Sequence, residues 1–191
     1  MPSVVPKMSD TPVRPRILVP VDFSVCSHEV AAEAAHLAGG VGGEVVFLHV
    51  VAQPPGLPDD VIVRPEAGGA PMSVHEWLEG EAASEMPIYL EAVRRMGVPG
   101  RTEVRHGPVA DVILKAADQE DARYIVMGTH GRRGLARMFL GSVAEQVVRR
   151  STRPVLTLRS THKAECAARS CATCTSGQLA STSQLDAEEQ G

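Results

Sequence analysis

Aromatic residues are scarce in this chain of 191 residues, with one Trp, two Tyr and three Phe making up 3% of the sequence. Hydrophobic residues nevertheless reach 43%, so the core has to be built mainly from Val, Ala, Leu, Ile and Met. The chain is long enough for one domain with additional terminal segments. We therefore expect a globular domain with an aliphatic core.

Three further absences narrow the class of protein. Lysine and arginine are outnumbered by aspartate and glutamate, and the formal net charge of −4 disfavours a general nucleic-acid binder. No apolar run approaches the length of a membrane span, and residues 1–15 contain no hydrophobic signal core. The four cysteines, three of them clustered, do not suggest a secreted disulfide framework. These observations predict a cytoplasmic protein that binds neither nucleic acid nor membranes.

Two well-known phosphate-binding motifs are also missing. The chain has no G-x-x-x-x-G-K-[ST] segment, which excludes a P-loop NTPase by sequence. It has no G-x-G-x-x-G after its first strand-like run, which disfavours a dinucleotide-binding fold. A phosphate site in this chain therefore depends on a different pattern.

The two ends of the chain differ in composition from its middle. Residues 1–14 contain Pro2, Pro6 and Pro12 without apolar periodicity, and residues 160–191 are rich in Ser, Thr, Ala, Glu and Gln. Such segments cannot bury enough apolar surface to offset the entropy lost on ordering. We predict a disordered N-terminal extension over 1–14, one domain over 15–159 and a disordered tail over 160–191.

The tail contains Cys166, Cys171 and Cys174, with His162 upstream. This Cys-x4-Cys-x2-Cys spacing suits zinc, or three of the four ligands of an iron–sulfur cluster. The tail lacks a glycine-rich knuckle, a further cysteine downstream and apolar residues around the thiols, which favours incidental thiols. A thiol or metal sensor is retained as an alternative function.

Five strand-like runs alternate with helical patterns in the middle of the chain, at 16–21, 44–50, 102–106, 124–127 and 154–158. This alternation predicts an α/β fold with a five-stranded parallel sheet and helices on both faces. Right-handed crossovers allow two halves that wind in opposite directions from a shared middle. If the ends of the first and fourth strands serve one ligand, those strands are neighbours and the strand order is 3-2-1-4-5.

The helices between these runs have recognisable boundaries. The first is predicted to begin at Ser24 and to end near Gly39-Gly40. A long helix over 74–96 should kink at Pro87, and the next helix should have Pro108 as its first residue. The segment 53–72 is rich in Pro and Gly, and it is predicted to be a disordered loop or a lid at the edge where α/β sheets bind ligands.

A glycine-rich turn, GTHGRRG over 128–134, follows the fourth strand-like run, and Gly141-Ser142 opens the next amphipathic run. Glycine lets a ligand approach the backbone closely, and the free N–H groups of a helix start attract anions. The turn therefore favours a phosphate site. Residues 142–145 also fit a capping box, in which Ser142 caps its own helix through Glu145. Both can hold, because capping uses the hydroxyl and a phosphate would use the N–H groups.

Two polar residues stand at or near the carboxyl ends of the first two strand-like runs. Asp22 either caps the following helix or bonds to a ribose hydroxyl. His49 lies within the second run, where a lone histidine is more often packed than catalytic.

Four positions of the glycine turn and the following helix match the pattern G-x2-G-x9-G-[ST]: Gly128, Gly131, Gly141 and Ser142. With this pattern between two strand-like runs, the chain resembles the nucleotide-binding branch of the universal stress protein family. Further resemblance lies in ILVPVDFS at 17–24 and VVFLHV at 45–50, and the similarity covers about 14–159.

The resemblance implies an adenine nucleotide alpha-hydrolase-like, Rossmann-type fold with strand order 3-2-1-4-5. It implies ATP or AMP as the ligand, with Mg²⁺ as an accompanying ion, and a homodimer. The function it implies is a regulatory module that acts in the stress response through nucleotide-dependent conformation and dimerisation.

The resemblance also assigns roles to the matching positions. Asp22 would bind the ribose hydroxyls beside Pro20 and Val21, and the backbone of Val50 would read the adenine edge. Met127 and Gly128 would form the floor beneath the ribose. The phosphates would be surrounded by the glycine-turn residues Thr129, His130, Gly131, Arg132 and Arg133. They would also accept hydrogen bonds from the N–H groups of Gly141, Ser142 and Val143. The Arg132-Arg133 pair is more cationic than a phosphate turn requires, so which arginine touches phosphate stays open.

The run at 154–158 is the edge of a sheet with this order, and after Pro154 at its start it has no lysine or proline to discourage pairing. Pairing with the same strand of a second copy about a two-fold axis would cover the edge and make a homodimer. The alternative is an edge shielded by the 53–72 loop or by the tail.

An enzyme is the other function class that we considered, as a slow ATP hydrolase or phosphotransferase. We disfavour it because His130 is the only evident general base near the turn. Beyond Asp22, no clear paired carboxylates for Mg²⁺ appear.

Overall fold

Continuous apolar runs flanked by amphipathic helices build one layered α/β domain in the computed structural model, which describes residues 14–52, 61–64, 70–129 and 140–159. The strands are short and β-branched, and the helices present apolar stripes to them. In chain order the elements are β1 (Arg16–Val21), α1 (Val25–Val41), β2 (Glu44–Val51), β3 (Ile62–Val63), β4 (Met72–Ser73), α2 (Val74–Glu85), α3 (Pro87–Arg95), β5 (Gly100–His106), α4 (Val109–Gln119), β6 (Ala122–Gly128), α5 (Ser142–Arg150) and β7 (Val155–Leu158).

Five of these strands form a parallel sheet in the order β5-β2-β1-β6-β7. Numbered along these five strands, this is the order 3-2-1-4-5, so the predicted fold class and topology are confirmed. The chain winds outward from β1 to β2 and β5, then returns to β6 and continues to β7 on the other side of β1. The point where the winding reverses lies between β1 and β6.

The strands bury both faces of the sheet, as expected for a parallel sheet between helices. Along β1, Ile17 and Val19 contribute to the core on the side of α1 and α3, and Leu18 contributes to the core on the side of α4 and α5. All three side chains are fully buried. This alternation follows from the period of two in a strand.

Within the region predicted as a loop over 53–72, the structure adds a short feature. β3 and β4 pair antiparallel, with Ile62 opposite Ser73 and Val63 opposite Met72. Ser73 then caps α2 in a capping box with Glu76, at 3.1 Å from Glu76 N–H to Ser73 Oγ. Neither feature was predicted. No helix in the described part of the chain has the length and hydropathy that a membrane span needs.

Three predicted helix boundaries differ from the structure. The helix predicted over 74–96 is two helices, because Pro87 begins α3 as a first-turn proline after Met86. Pro108 is the N-cap of α4 rather than its first helical residue. α1 continues through Gly39-Gly40 and ends at Gly42, which has a φ of 64° that favours glycine.

Tyr89 is the largest fully buried side chain, and it brings together much of the scarce aromatic content. Its ring lies within 5.1 to 6.2 Å of the rings of Phe23, His28 and Phe47, measured between centroids. Its hydroxyl is buried and has no hydrogen-bond partner. Burial raises the pKa of Tyr89 above its ordinary value of 10.0. The nearby Ser27 side chain and Phe23 backbone offset part of this rise in the pKa.

Because a buried hydroxyl without a partner destabilises the folded state, we expect Tyr89→Phe to raise the free energy of unfolding by about 1 kcal/mol. Wild type should also lose stability as the pH rises above 10.0, because the unfolded Tyr89 ionises while the folded pKa is higher. Tyr89→Phe should lose less stability over that pH range, because it has no hydroxyl at position 89 to ionise. Urea unfolding from pH 7 upward measures the stability of both chains, with Tyr124→Phe as the comparison, since Tyr124 is half-buried and its hydroxyl accepts a hydrogen bond from Arg123 Nε at 3.3 Å. A loss of more than about 1 kcal/mol in Tyr89→Phe would show that the hydroxyl is bonded.

Candidate functional site

The candidate site lies at the carboxyl ends of β1, β2 and β6, where the winding of the sheet reverses. β1 is hydrogen-bonded to β2 on one side, with Val21 opposite His49, and to β6 on the other, with Leu18 opposite Ile125. In open α/β sheets such a reversal leaves a crevice beyond the strand ends where ligands bind.

Two backbone hydrogen bonds attach the start of α5 to the end of β6. Thr129 N–H donates to Leu158 O at 2.8 Å, and Gly141 N–H donates to Thr129 O at 2.6 Å. Thr129 is buried, and Gly128 is still paired with Leu158 in the sheet. These contacts place the first turn of α5 beside the carboxyl end of β6.

The first turn of α5 has an arrangement that suits an anion. Gly141 is the N-cap, and the first intrahelical bond runs from Glu145 N–H to Gly141 O at 2.8 Å. The N–H groups of Ser142 and Val143 precede that bond, so they have no acceptor within the helix. The helix dipole adds a partial positive charge at this end.

The predicted capping box of Ser142 is wrong. Ser142 is the first helical residue and Gly141 is the cap, with no side-chain bond to the cap position. The Glu145 carboxylate contacts Arg149 at 3.5 Å instead. Ser142 is exposed, and its hydroxyl does not cap the N-terminus of α5.

Asp22 follows β1 directly and is bound tightly by the chain after it. Its Oδ1 accepts from Ser24 N–H at 3.2 Å, from Ser24 Oγ at 2.6 Å and from Ser27 Oγ at 2.7 Å. The Asp22 N–H donates to Ser27 Oγ at 3.0 Å. Of the two roles considered for Asp22, the structure contains the structural one, as an acceptor at the start of α1.

Phe23 connects Asp22 to Ser24 in an unusual backbone conformation. Its φ of 61° is in the left-handed region, which is costly for a bulky residue. The Phe23 ring stacks on His49 with 4.2 Å between centroids. His49 Nδ1 lies 2.8 Å from Val21 O, so this nitrogen carries the proton and donates to the carbonyl. His49 is thus packed, as predicted, and joins the ends of β1 and β2.

The structure places most of the residues predicted for the site at one edge of the sheet or at the start of α5. Val50 and Met127 are buried in the core on the side of α4 and α5, with their backbones at the strand ends. Gly128 is an extended strand residue without positive φ. The predicted residues that lie at or near the carboxyl ends of β1, β2 and β6 or at the start of α5 are Pro20, Val21, Asp22, Val50, Met127, Gly128, Thr129, Gly141, Ser142 and Val143.

Some predicted residues lie outside the part of the chain that the structure describes. These are His130, Gly131, Arg132 and Arg133 of the glycine turn and, in the tail, His162, Cys166, Cys171 and Cys174.

The contacts of Phe23 and the second hydrogen-bonding serine were not predicted. A signal for the serine was present, because Ser24 and Ser27 follow Asp22 in a D-x-S-x2-S pattern. That spacing puts two hydroxyls on the first turn of a helix behind one carboxylate.

A family model described as the universal stress protein family matches residues 14–159. The chain belongs to the universal stress protein family. This universal stress protein is similar to universal stress protein MJ0531 of Methanocaldococcus jannaschii, with 34% identity over 150 residues that cover 78% of this chain and 84% of that protein. The resemblance predicted from the glycine pattern is confirmed at the level of the family.

Solved structures share the fold of this universal stress protein. That of MJ0577, from the same archaeon, has a TM-score of 0.59 and 25% identity, and the match covers 78% of this chain and 99% of that one. A universal stress protein from Archaeoglobus fulgidus, solved in complex with dAMP, has a TM-score of 0.56 and 22% identity, with 76% and 98% covered. At 22% identity the second likeness establishes the fold.

Proposed function

We propose that the chain is a nucleotide-binding regulatory module that holds ATP or AMP at the crevice between β1 and β6. The observation that carries the proposal is the attachment of the α5 start to the end of β6 through Gly141 N–H and Thr129 O. It puts the anion-attracting end of a helix at the point of the sheet where ligands bind. The dAMP complex of a protein with the same fold is consistent with it.

The phosphates would lie at the first turn of α5. Ser142 and Val143 would donate their N–H groups, and Thr129 to Arg133 would wrap the other side. The Gly141 N–H already donates to Thr129 O, so in this proposal Gly141 contributes close approach of the backbone rather than a bond to phosphate.

The nucleoside would lie along the ends of β1 and β2. Asp22 would accept from the ribose hydroxyls, with Pro20 and Val21 beside it and Met127 and Gly128 beneath. The backbone of Val50 would pair with the adenine edge, which suits a residue whose side chain is already buried in the core. Main-chain N–H and C=O groups at a strand end can form hydrogen bonds with the edge of a base, whatever the side chain of that residue.

The described residues fit a nucleotide better than a metal of the chain's own. Among them no group of three acidic, histidine or cysteine side chains is arranged to hold a metal ion. In this proposal Mg²⁺ would enter on the phosphates of ATP, where it neutralises charge.

We further propose that the domain over 15–159 contains the whole nucleotide site and dimerises through β7. Among the strands that the structure describes, β7 is hydrogen-bonded only to β6, and Leu156 is exposed. An edge of this kind is usually covered, and a second copy would cover it. Nucleotide-dependent conformation and dimerisation would make the module a regulator in the stress response.

Titration of the full chain with ATP in a calorimeter tests the proposal. We expect binding of one nucleotide per chain, and Gly131→Val should weaken it about 10- to 100-fold because a side chain would occupy space next to the phosphates. Gly80→Val is the matched control, since a Cβ at Gly80 on the exposed side of α2 meets nothing within 4 Å. Equal affinity in wild type and Gly131→Val would count decisively against the site.

A further inference from the structure

An open cavity of about 320 Å³ lies at the amino ends of β1 and β6, at the opposite edge of the sheet from the candidate site. Four arginines from three separate segments line it: Arg14 just before β1, Arg16 as the first residue of β1, Arg123 at the start of β6, and Arg153 in the loop before β7. The cavity concentrates positive charge in a chain whose formal net charge is −4.

Arg16 is held in place by carboxylates and by the main chain. Its Nε donates to Glu44 Oε1 at 2.8 Å, and its Nη1 donates to Glu120 O at 2.9 Å. The Glu120 carboxylate also lies 3.8 Å from Arg16 Nε. These contacts balance the charge of Arg16 and fix its guanidinium at the cavity.

Arg153 is held in the same way by the turn between α4 and β6. Its Nη1 donates to Asp121 Oδ1 at 2.8 Å and to Ala122 O at 3.3 Å, and its Nε lies 3.6 Å from Asp118 Oδ1. The charge of Arg153 is therefore balanced as well. A guanidinium has more N–H groups than these bonds use, so Arg153 and Arg16 can each still donate to a ligand.

Arg14 and Arg123 differ, because neither forms an ion pair with a carboxylate among the residues that the structure describes. Arg123 is held by an aromatic neighbour instead. Its Cζ lies 5.7 Å from the centre of the Tyr124 ring, and its Nε donates to the Tyr124 hydroxyl at 3.3 Å. A cation–π contact and a bond to a neutral hydroxyl do not cancel the charge of the guanidinium.

We propose that this cavity binds a small anion that carries at least two negative charges on phosphoryl or carboxylate groups. Guanidinium groups form paired, charge-assisted hydrogen bonds with both kinds of oxyanion. Arg16 and Arg153 would donate from fixed positions, and Arg14 and Arg123 would supply the two charges that no described carboxylate balances. The volume suits a small molecule. Because the proposed nucleotide crevice lies at the carboxyl ends of the same strands, the two ligands would not compete.

NMR titration of the full chain with inorganic pyrophosphate and, separately, with citrate tests the inference. The backbone amide signals of Arg16 and Ala122 should shift and then saturate with at least one of the two anions. Arg14→Ala and Arg123→Ala should each weaken that binding about 10-fold, as expected for the loss of a hydrogen-bonded charge. Tighter binding of pyrophosphate would assign a phosphoryl ligand to the cavity, and tighter binding of citrate a carboxylate ligand.

Arg95→Ala is the matched control, because it removes the same charge from an exposed arginine that is paired with Glu91 on α3. It should bind as wild type does, and so should Ser142→Pro, which alters only the proposed phosphate site at the other edge. Arg14 and Arg123 are exposed, so their variants should melt within a few degrees of wild type.

Three results would overturn the inference without touching the proposed nucleotide site. The first is a wild-type chain whose Arg16 and Ala122 signals do not respond to either anion at millimolar concentration. The second is wild-type affinity in either Arg14→Ala or Arg123→Ala. The third is an equal loss in Arg95→Ala, which would show attraction to the overall charge of the chain rather than binding in the cavity.

Discussion

Ser142→Pro is expected to weaken ATP binding about 10- to 100-fold without lowering the stability of the fold. The substitution removes one backbone N–H group, at a position proposed to donate to a phosphate. Losing a hydrogen bond to a charged acceptor costs about 1.5–3 kcal/mol, which sets the size of the effect.

The helix itself tolerates this change. Ser142 is the first residue of α5, where proline is favoured because its missing N–H has no intrahelical acceptor. Gly141 before it has φ −68° and ψ 155°, within the region that a residue before proline adopts.

Ser142→Ala is the matched control, since it removes the hydroxyl and keeps the N–H. It should bind ATP nearly as wild type does, and both variants should melt within a few degrees of wild type. Should Ser142→Pro bind ATP with wild-type affinity, the phosphates do not lie on the first turn of α5. Equal weakening by both variants would assign the effect to the hydroxyl instead.

Leu156→Lys is expected to convert a homodimer into a monomer. Leu156 lies in the middle of β7, opposite Val126 of β6, and 45% of its surface is exposed. Antiparallel pairing of two β7 strands about a two-fold axis would bring the two lysines close together in an apolar interface. Like charges facing each other in such a contact oppose pairing.

Light scattering at micromolar concentration measures the change. Ile88→Lys is the control, because Ile88 is 53% exposed on α3, a helix that packs near β5 at the opposite edge of the sheet. It should remain dimeric. A wild-type chain that is already monomeric at this concentration would end the dimer proposal, and a dimeric Leu156→Lys would place the interface elsewhere.

The strand order was predictable because it follows from general rules applied to long, unambiguous elements. Five apolar runs separated by helical patterns leave few topologies once crossovers are right-handed. The assumption that Asp22 and the glycine turn serve one ligand selected among them, and β1 and β6 are indeed neighbours.

The details near the candidate site were harder to predict because tertiary contacts decide them. Glycine and serine are both good N-caps, so the local sequence does not decide between Gly141 and Ser142. In the structure Gly141 is the N-cap, and its N–H donates to Thr129 O, a contact with a residue outside the helix that no local pattern predicts. Phe23 in the left-handed region contradicts local preference, and it is held by stacking on His49.

Packing against the sheet also extends α1 beyond the Gly39-Gly40 pair that was predicted to end it. α1 passes through Gly39-Gly40 because Ala34, Ala35 and Ala38 are fully buried against the sheet, which supports the helix through its weak last turn. It ends only at Gly42, whose N–H bonds back to Gly39 O.

A crystal structure of the full chain with ATP and Mg²⁺ tests the central claim most directly. We predict the ribose hydroxyls within hydrogen-bond distance of Asp22 and a phosphate oxygen within hydrogen-bond distance of the Ser142 and Val143 N–H groups. The adenine edge should face the backbone of Val50. ATP bound away from the β1–β6 crevice, or phosphates distant from the start of α5, would contradict the account.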